Sequence, residues 1–139
     1  PYLISSCCIG IMAQRLVRTL CPECKKKITP KPEVKAHIEK ILNSISPKAG
    51  VEVPKSIGDI FEAVGCLKCN NIGYKGRTTV SEVLAMTKEM EELITKQPTT
   101  SEVEELAISQ GMITMPQDGI LKVLEGITTM EEVERVTDE

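Results

Sequence analysis

Apolar positions first recur at helical spacing: Leu3, Cys7, Cys8, Ile11 and Met12 fall on one helix face, weakened slightly by Gly10. From Gln14 the pattern changes. Gln14-Arg15-Leu16-Val17-Arg18-Thr19-Leu20 mixes apolar and polar positions and predicts a strand running into Cys21. Residues 25–65 are interrupted by Pro30, Pro32, Pro47, Pro54, Gly50, Gly58 and Gly65 and read as an irregular insert. One helix fits inside it, from about Glu33 to Asn43, with Pro32 at its start and Val34, Ile38, Ile41 and Leu42 as its stripe. Val51–Val53 and Ile60–Val64 read as short strands. The turn formers of Asn70–Gly76 then lead into a strand over Arg77–Leu84.

Beyond Thr87 the spacing predicts four short helices. Residues 88–96 carry Met90, Leu93 and Ile94 and stop at Gln97-Pro98. Ser101 and Glu104 have capping-box spacing before Val103, Leu106 and Ala107, with Gly111 as the stop. A third helix spans Pro116–Glu125 with Ile120, Val123 and Leu124 inward. Thr128 and Glu131 are expected to cap a fourth, presenting Met130, Val133 and Val136. The expected fold class is mainly α with a small antiparallel β component. It divides into residues 1–20 (helix then strand), 21–76 (cysteine-bearing subdomain) and 77–139 (returning strand and helical cap). The start at Pro1 reads as a cut from something longer.

Composition narrows the chemistry. With one Phe, two Tyr and no Trp, the core must be aliphatic, methionines included, and few rings are available to stack bases; nucleic acid is not expected as a partner. Net charge is −3, but residues 1–40 hold eight Lys/Arg against three acidic residues and residues 82–139 hold four against fourteen. Such a split suits contact with neighbours of opposite sign, although a solvated acidic helical face is the simpler account and the one preferred here. No apolar run is long enough for a membrane span.

The six cysteines carry the candidate chemistry. Cys21-Pro-Glu-Cys24 and Cys66-Leu-Lys-Cys69 are two C-x-x-C pairs, a spacing at which two thiolates grip one ion, and together they make a closed Cys₄ structural zinc site. Disulfides fit poorly in a chain of this size with adjacent Cys7-Cys8. A dithiol redox site fits poorly where a second pair is present. Lys25, Lys26 and Lys68 would offset the excess negative charge of four thiolates on zinc. His37, the only histidine, reads as a helix-surface residue. If the strand entering Cys21 pairs with the one leaving Gly76, the metal pins the feet of a long hairpin.

No G-x-x-x-x-G-K-[ST] loop, H-E-x-x-H or G-x-S-x-G is present, so no catalytic or nucleotide-binding residue is assigned in this chain. Ala13–Cys24, Val64–Asn70 and Gly73–Thr78, followed by Gly111-Met112, Asp118–Val123 and Gly126–Val133, resemble the C-terminal part of the ATPases that drive type II secretion and type IV pilus assembly. The resemblance covers nearly the whole chain except the 25–60 insert. It implies a fragment of a hexameric RecA-like motor at the cytoplasmic face of the inner membrane. Cys21, Cys24, Cys66 and Cys69 would be its zinc ligands, while the groups that bind ATP and Mg²⁺ would lie upstream of Pro1. Implied partners are neighbouring subunits and inner-membrane platform proteins, without direct membrane insertion. Arg15, Arg18 and Arg77 are read as structural salt-bridging residues, with contact to nucleotide or a neighbouring subunit as the other option. The alternative function is a free-standing zinc-stabilised interaction module. Where the family continues Gly-Ile-Tyr-Glu after its Gly-Arg-Thr, this chain has Thr79-Val80-Ser81-Glu82 and lacks the aromatic.

Overall fold

A computed structural model describes residues 7–137. Its longest feature is a hairpin of β1 (Gly10–Leu20) and β4 (Tyr74–Ala85), antiparallel in a register that sets Gly10 opposite Ala85 and Arg18 opposite Arg77. The ladder shifts between Arg18 and Leu20, which pairs with Tyr74. This is the long hairpin expected from sequence. The N-terminal helical stripe is corrected from Gly10 onward, because Ile11 and Met12 lie in β1, whereas Cys7 is helical as expected; the part of that stripe at Leu3 lies outside the described residues. A full-length partner strand supplies ladder hydrogen bonds that a short stripe containing Gly10 could not match.

The insert is more ordered than its composition suggests. β2 (Lys26–Ile28), not expected from sequence, pairs antiparallel with β3 (Ile60–Glu62), whereas Val51–Val53 forms no strand. Between them α1 (Pro32–Asn43) buries Ile38 and Leu42 on the predicted stripe. Four further helices follow: α2 (Lys88–Thr95), α3 (Thr100–Ser109), α4 (Met115–Leu124) and α5 (Met130–Thr137). The described residues therefore form a mixed α/β fragment of five helices and antiparallel strands, with more β-structure than the mainly α expectation.

Two caps shift from their expected places. The box that opens α3 is Thr99 with Glu102, not Ser101 with Glu104: the Glu102 N–H donates to Thr99 Oγ1 at 3.3 Å and the Thr99 N–H to Glu102 Oε2 at 2.7 Å. Thr99 directly follows Pro98 and is extended, so the first residue able to cap is used. At α5, Thr129 accepts from the Glu132 N–H at 3.4 Å, while Thr128 turns its hydroxyl to the Arg18 carbonyl at 2.8 Å. Gly111 ends α3 as expected, with φ +105°.

The main core joins Ile38, Leu42, Ile45 and Ile60 of the insert to Ile120, Val123 and Val133 of the C-terminal helices. Residues from both the 21–76 and 77–139 segments therefore fill one core. Gln117 ties the same elements, its Nε2 donating to Ser44 Oγ at 2.9 Å. A smaller cluster of Val17, Val80 and Val136 seats α5 on the hairpin. Among the described residues no helix is long and apolar enough to cross a membrane.

Candidate metal centre

At the foot of the hairpin the chain makes two tight turns. Cys21 leaves β1 with its N–H on the Gly73 carbonyl at 2.9 Å, and its own carbonyl accepts from Cys24 at 3.3 Å and Lys25 at 3.0 Å. Pro22 and Glu23 thus reverse the chain and bring Cys24 back beside Cys21. The second turn is a short 3₁₀ segment over Leu67–Cys69, whose exit runs through Asn70 and Asn71 at φ +54° and +60°. Asn tolerates this left-handed backbone better than most residues. Gly73 is needed for another reason: at φ +82°, any Cβ would stand 2.7 Å from Ala63 Cβ.

These turns bring all four predicted ligands together, with every Sγ within 4.8 Å of the others. Cys21 and Cys66 are 3.9 Å apart, Cys24 and Cys69 3.8 Å, and Cys66 and Cys69 3.8 Å. Cys21 and Cys69 are buried, and Cys24 and Cys66 half-buried. The Cys66 and Gly73 N–H groups both donate to Cys69 Sγ at 3.2 Å, the arrangement that stabilises a thiolate. Burial pushes Cys69 up, but those two N–H donors and the Cys66 and Cys24 thiols outweigh it and bring the group down to about 6. Burial pushes Cys24 up to about 12, helped by the thiols of Cys66, Cys69 and Cys21. Four sulfur donors converging in this way can hold a metal ion.

The lysines fit the expectation less well. Lys25 Nζ donates to the Gly126 carbonyl at 2.7 Å and sits 4.6 Å from the Phe61 ring centre, and Lys26 is 4.0 Å from Glu62. Both have partners outside the thiol cluster. His37 is exposed on α1 and is not among the clustered donors.

A second cluster beside the first had no sequence signal. Glu132, 1% exposed, accepts from the Arg18 backbone N–H at 2.8 Å and from Arg18 Nη2 at 2.7 Å. Arg135 adds Nη2 at 2.8 Å and Nε at 3.2 Å. Burial alone would raise the Glu132 carboxyl; the Arg135 and Arg18 donors overcome it and hold the group at about 2. Arg18 also stacks 4.1 Å over the Tyr74 ring, whose hydroxyl lies 2.9 Å from Thr129 Oγ1. Arg18 is thus a structural salt-bridging residue. Its carboxylate lies 114 positions away, too far for any local pattern to reveal.

Comparison with known proteins places these features in a wider set. The family described as type II/IV secretion system protein matches residues 1–135. The chain is 40% identical over 143 aligned positions to the type II secretion system ATPase E of Vibrio cholerae, covering 100% of this chain and 25% of that protein. Type II secretion system protein E of Pseudomonas aeruginosa is 39% identical over 139 residues, again 100% of this chain and 25% of the relative. The type IV pilus assembly ATPase PilB of Thermus thermophilus is 35% identical over 133 residues, 96% of this chain and 14% of its own length. The chain therefore spans a quarter or less of the length of these relatives.

Proposed function

This chain belongs to the type II/IV secretion system protein family, and from that membership we propose that it is the C-terminal, zinc-binding portion of an ATPase that powers type II protein secretion or type IV pilus assembly. The observation that carries the proposal is the joint one: family similarity over residues 1–135 and a tetracysteine cluster at the foot of the hairpin. In this reading β1 and β4 close a RecA-like motor domain, and ATP and Mg²⁺ are bound by parts of the parent protein upstream of Pro1. The parent works as a hexamer at the cytoplasmic face of the inner membrane, against secretion or pilus platform proteins. This portion stabilises subunit structure and transmits motion, and carries no catalytic residue.

Zinc is the ion the donors fit best. Four sulfurs about 2.3 Å from one tetrahedral zinc stand about 3.8 Å apart, and three Sγ pairs already lie at 3.9, 3.8 and 3.8 Å. The N–H donors on Cys69 supply the outer support that orients a thiolate ligand. Bound there, zinc supplies a structural cross-link with no open position. Cys21, Cys24, Cys66 and Cys69 would hold it.

Two measurements test this reading. Metal analysis of the purified chain should find about one zinc per chain, with no free thiol among the four ligands; a metal-free, folded, disulfide-bonded chain would refute the assignment. The full reading frame should contain a G-x-x-x-x-G-K-[ST] loop upstream, and the parent protein should hydrolyse ATP. If that loop is absent, the free-standing zinc module becomes the better reading.

A further inference from the structure

The four thiols differ in their access to solvent. Cys21 and Cys69 are buried, whereas Cys24 and Cys66 are half-buried. Cys66 has the more open approach, because Leu67 beside it is 88% exposed and Val64 and Lys68 are exposed as well. Lys68, between the two cysteines of that turn, is a positive neighbour. Around Cys24 the exposed neighbour is Glu23, and the cation next to it, Lys25, is drawn away onto the Gly126 carbonyl at 2.7 Å. A partly exposed thiolate in electropositive surroundings is the kind that peroxides oxidise.

Cys66 also has a resolving partner within its own turn. Cys69 Sγ lies 3.8 Å away, and the turn is tied locally: the Cys69 and Asn71 N–H groups donate to the Cys66 carbonyl at 3.1 and 2.8 Å, and the Cys66 N–H donates to Cys69 Sγ at 3.2 Å. None of these bonds depends on the other cysteine turn. Cys21 Sγ is nearly as close to Cys66, at 3.9 Å, but it stands on that other turn, 45 positions away, and is fully buried. Two cysteines three positions apart in one hydrogen-bonded turn lie within the span that a disulfide bridges.

We propose that Cys66 and Cys69 form a peroxide-sensitive release for the metal centre. The Cys66 thiolate attacks one oxygen of hydrogen peroxide, breaking the O–O bond, forming a sulfenic acid and expelling hydroxide. The Cys69 thiolate then attacks the Cys66 sulfur, the S–S bond forms, and a second hydroxide leaves. Two sulfurs lose one electron each, and the peroxide takes both. Only Cys21 and Cys24 remain as sulfur donors, half of a closed four-sulfur site, and the chain gives up its zinc. The new bond lies within one turn, so it cannot replace the cross-link between the turns, and the loop between them opens. A dithiol reductant restores the pair by exchange and becomes the disulfide itself. This device presupposes the zinc-bound site proposed above.

The test follows zinc with a metal-sensitive dye as hydrogen peroxide is added to the zinc-loaded native chain, and maps disulfides by alkylation, trypsin and mass spectrometry. Trypsin cuts after Lys68, so a Cys66–Cys69 bond joins two peptides, while Cys21 and Cys24 share a third and Cys7 and Cys8 a fourth. Zinc should leave at least about tenfold faster than without peroxide, in step with that bond and with Cys21 and Cys24 still open to alkylation. Dimedone added with the peroxide should trap sulfenic acid on Cys66, and a dithiol supplied with zinc should restore the loaded site. A loaded chain that keeps its ion through excess peroxide would overturn the inference alone. So would bonds joining Cys66 to Cys21 or Cys24 to Cys69, or sulfenic acid on Cys24 instead of Cys66. A chain that never binds zinc would remove the metal reading and this inference with it.

Discussion

Two clasps hold the foot of the same hairpin by different means. The thiol clasp joins Cys21 and Cys24 to Cys66 and Cys69, two pairs of residues fixed by tight local turns, and would be completed by an ion. The carboxylate clasp joins Arg18, near the end of strand β1, to Glu132 and Arg135 on α5 and is complete in itself. Their failure conditions differ accordingly. Chelation or oxidation should open the first and leave the second, whereas acid should weaken the second as its single buried carboxylate takes up a proton. The legs of the hairpin foot are therefore joined to each other through the cysteine turns and to α5 through the carboxylate, and chelation at neutral pH is the condition that separates the two clasps.

The largest expected effect comes from breaking the thiol clasp. Cys66→Ser or chelation of zinc releases a cross-link over a loop of roughly 45 residues, which costs about 4 kcal/mol on chain-entropy grounds. Thermal unfolding should report it. Hydrogen exchange should show lost protection at residues 20–31 and 60–76, while α1 stays protected together with α4 and α5, because those helices share a core that contains no cysteine. Uniform loss of protection would show that the shared core cannot stand without the metal.

Breaking the carboxylate clasp should cost less. In Glu132→Ala the two guanidinium groups are about half exposed and can turn to water, so the loss is about 2 kcal/mol, rather than the larger figure for a pair with both charges buried. Urea unfolding at neutral pH checks the magnitude. The pH dependence has a definite sign: the folded-state carboxyl is held at about 2, below its ordinary 4.5, so its contribution is fully present above about pH 5 and is lost as pH falls through 4.5 toward 2. Glu132→Gln should flatten that part of the stability curve in metal-free chain, where thiolate protonation does not release an ion. An unchanged acid limb would mean another carboxylate governs it.

Smaller effects probe the seam between the clasps. Tyr74 follows Gly73, whose N–H reaches Cys69 Sγ, and its ring lies under Arg18. Tyr74→Phe keeps the stacking and removes only the hydroxyl contact to Thr129, for about 1 kcal/mol. A double-mutant cycle between Tyr74→Phe and Glu132→Gln should show coupling of about 0.5 kcal/mol, since Arg18 touches both side chains. Additivity within error would mean the two contacts act separately.

Much of the thiol clasp was legible in the sequence. C-x-x-C spacing is a local code, because a tight turn can bring both sulfurs of a pair onto one ion whatever the rest of the chain does. The strand from Gln14 to Leu20, the α1 stripe on Ile38 and Leu42, and the C-terminal helices were legible for the same reason: each is written within a few turns or pleats. Local reading erred where neighbours decided the outcome. Ile11 and Met12 sit on a helical stripe yet join β1, because β4 offers a partner along that whole length. Lys26–Ile28 looks like part of an irregular insert and becomes a strand only because Ile60–Glu62 lies beside it. Glu131 and Glu132 are indistinguishable in sequence, and only the latter is buried against Arg18.

By itself, then, the sequence determined the four converging thiols, the long hairpin they close and the helices that follow, since short-range turn chemistry and hydrophobic period specify each of these. Tertiary structure alone decided that the insert and the C-terminal helices share one core. It alone picked Glu132 as the buried partner of two arginines. Those choices depend on which surfaces meet across more than a hundred residues of chain, and side-chain burial and register, rather than spacing, select them.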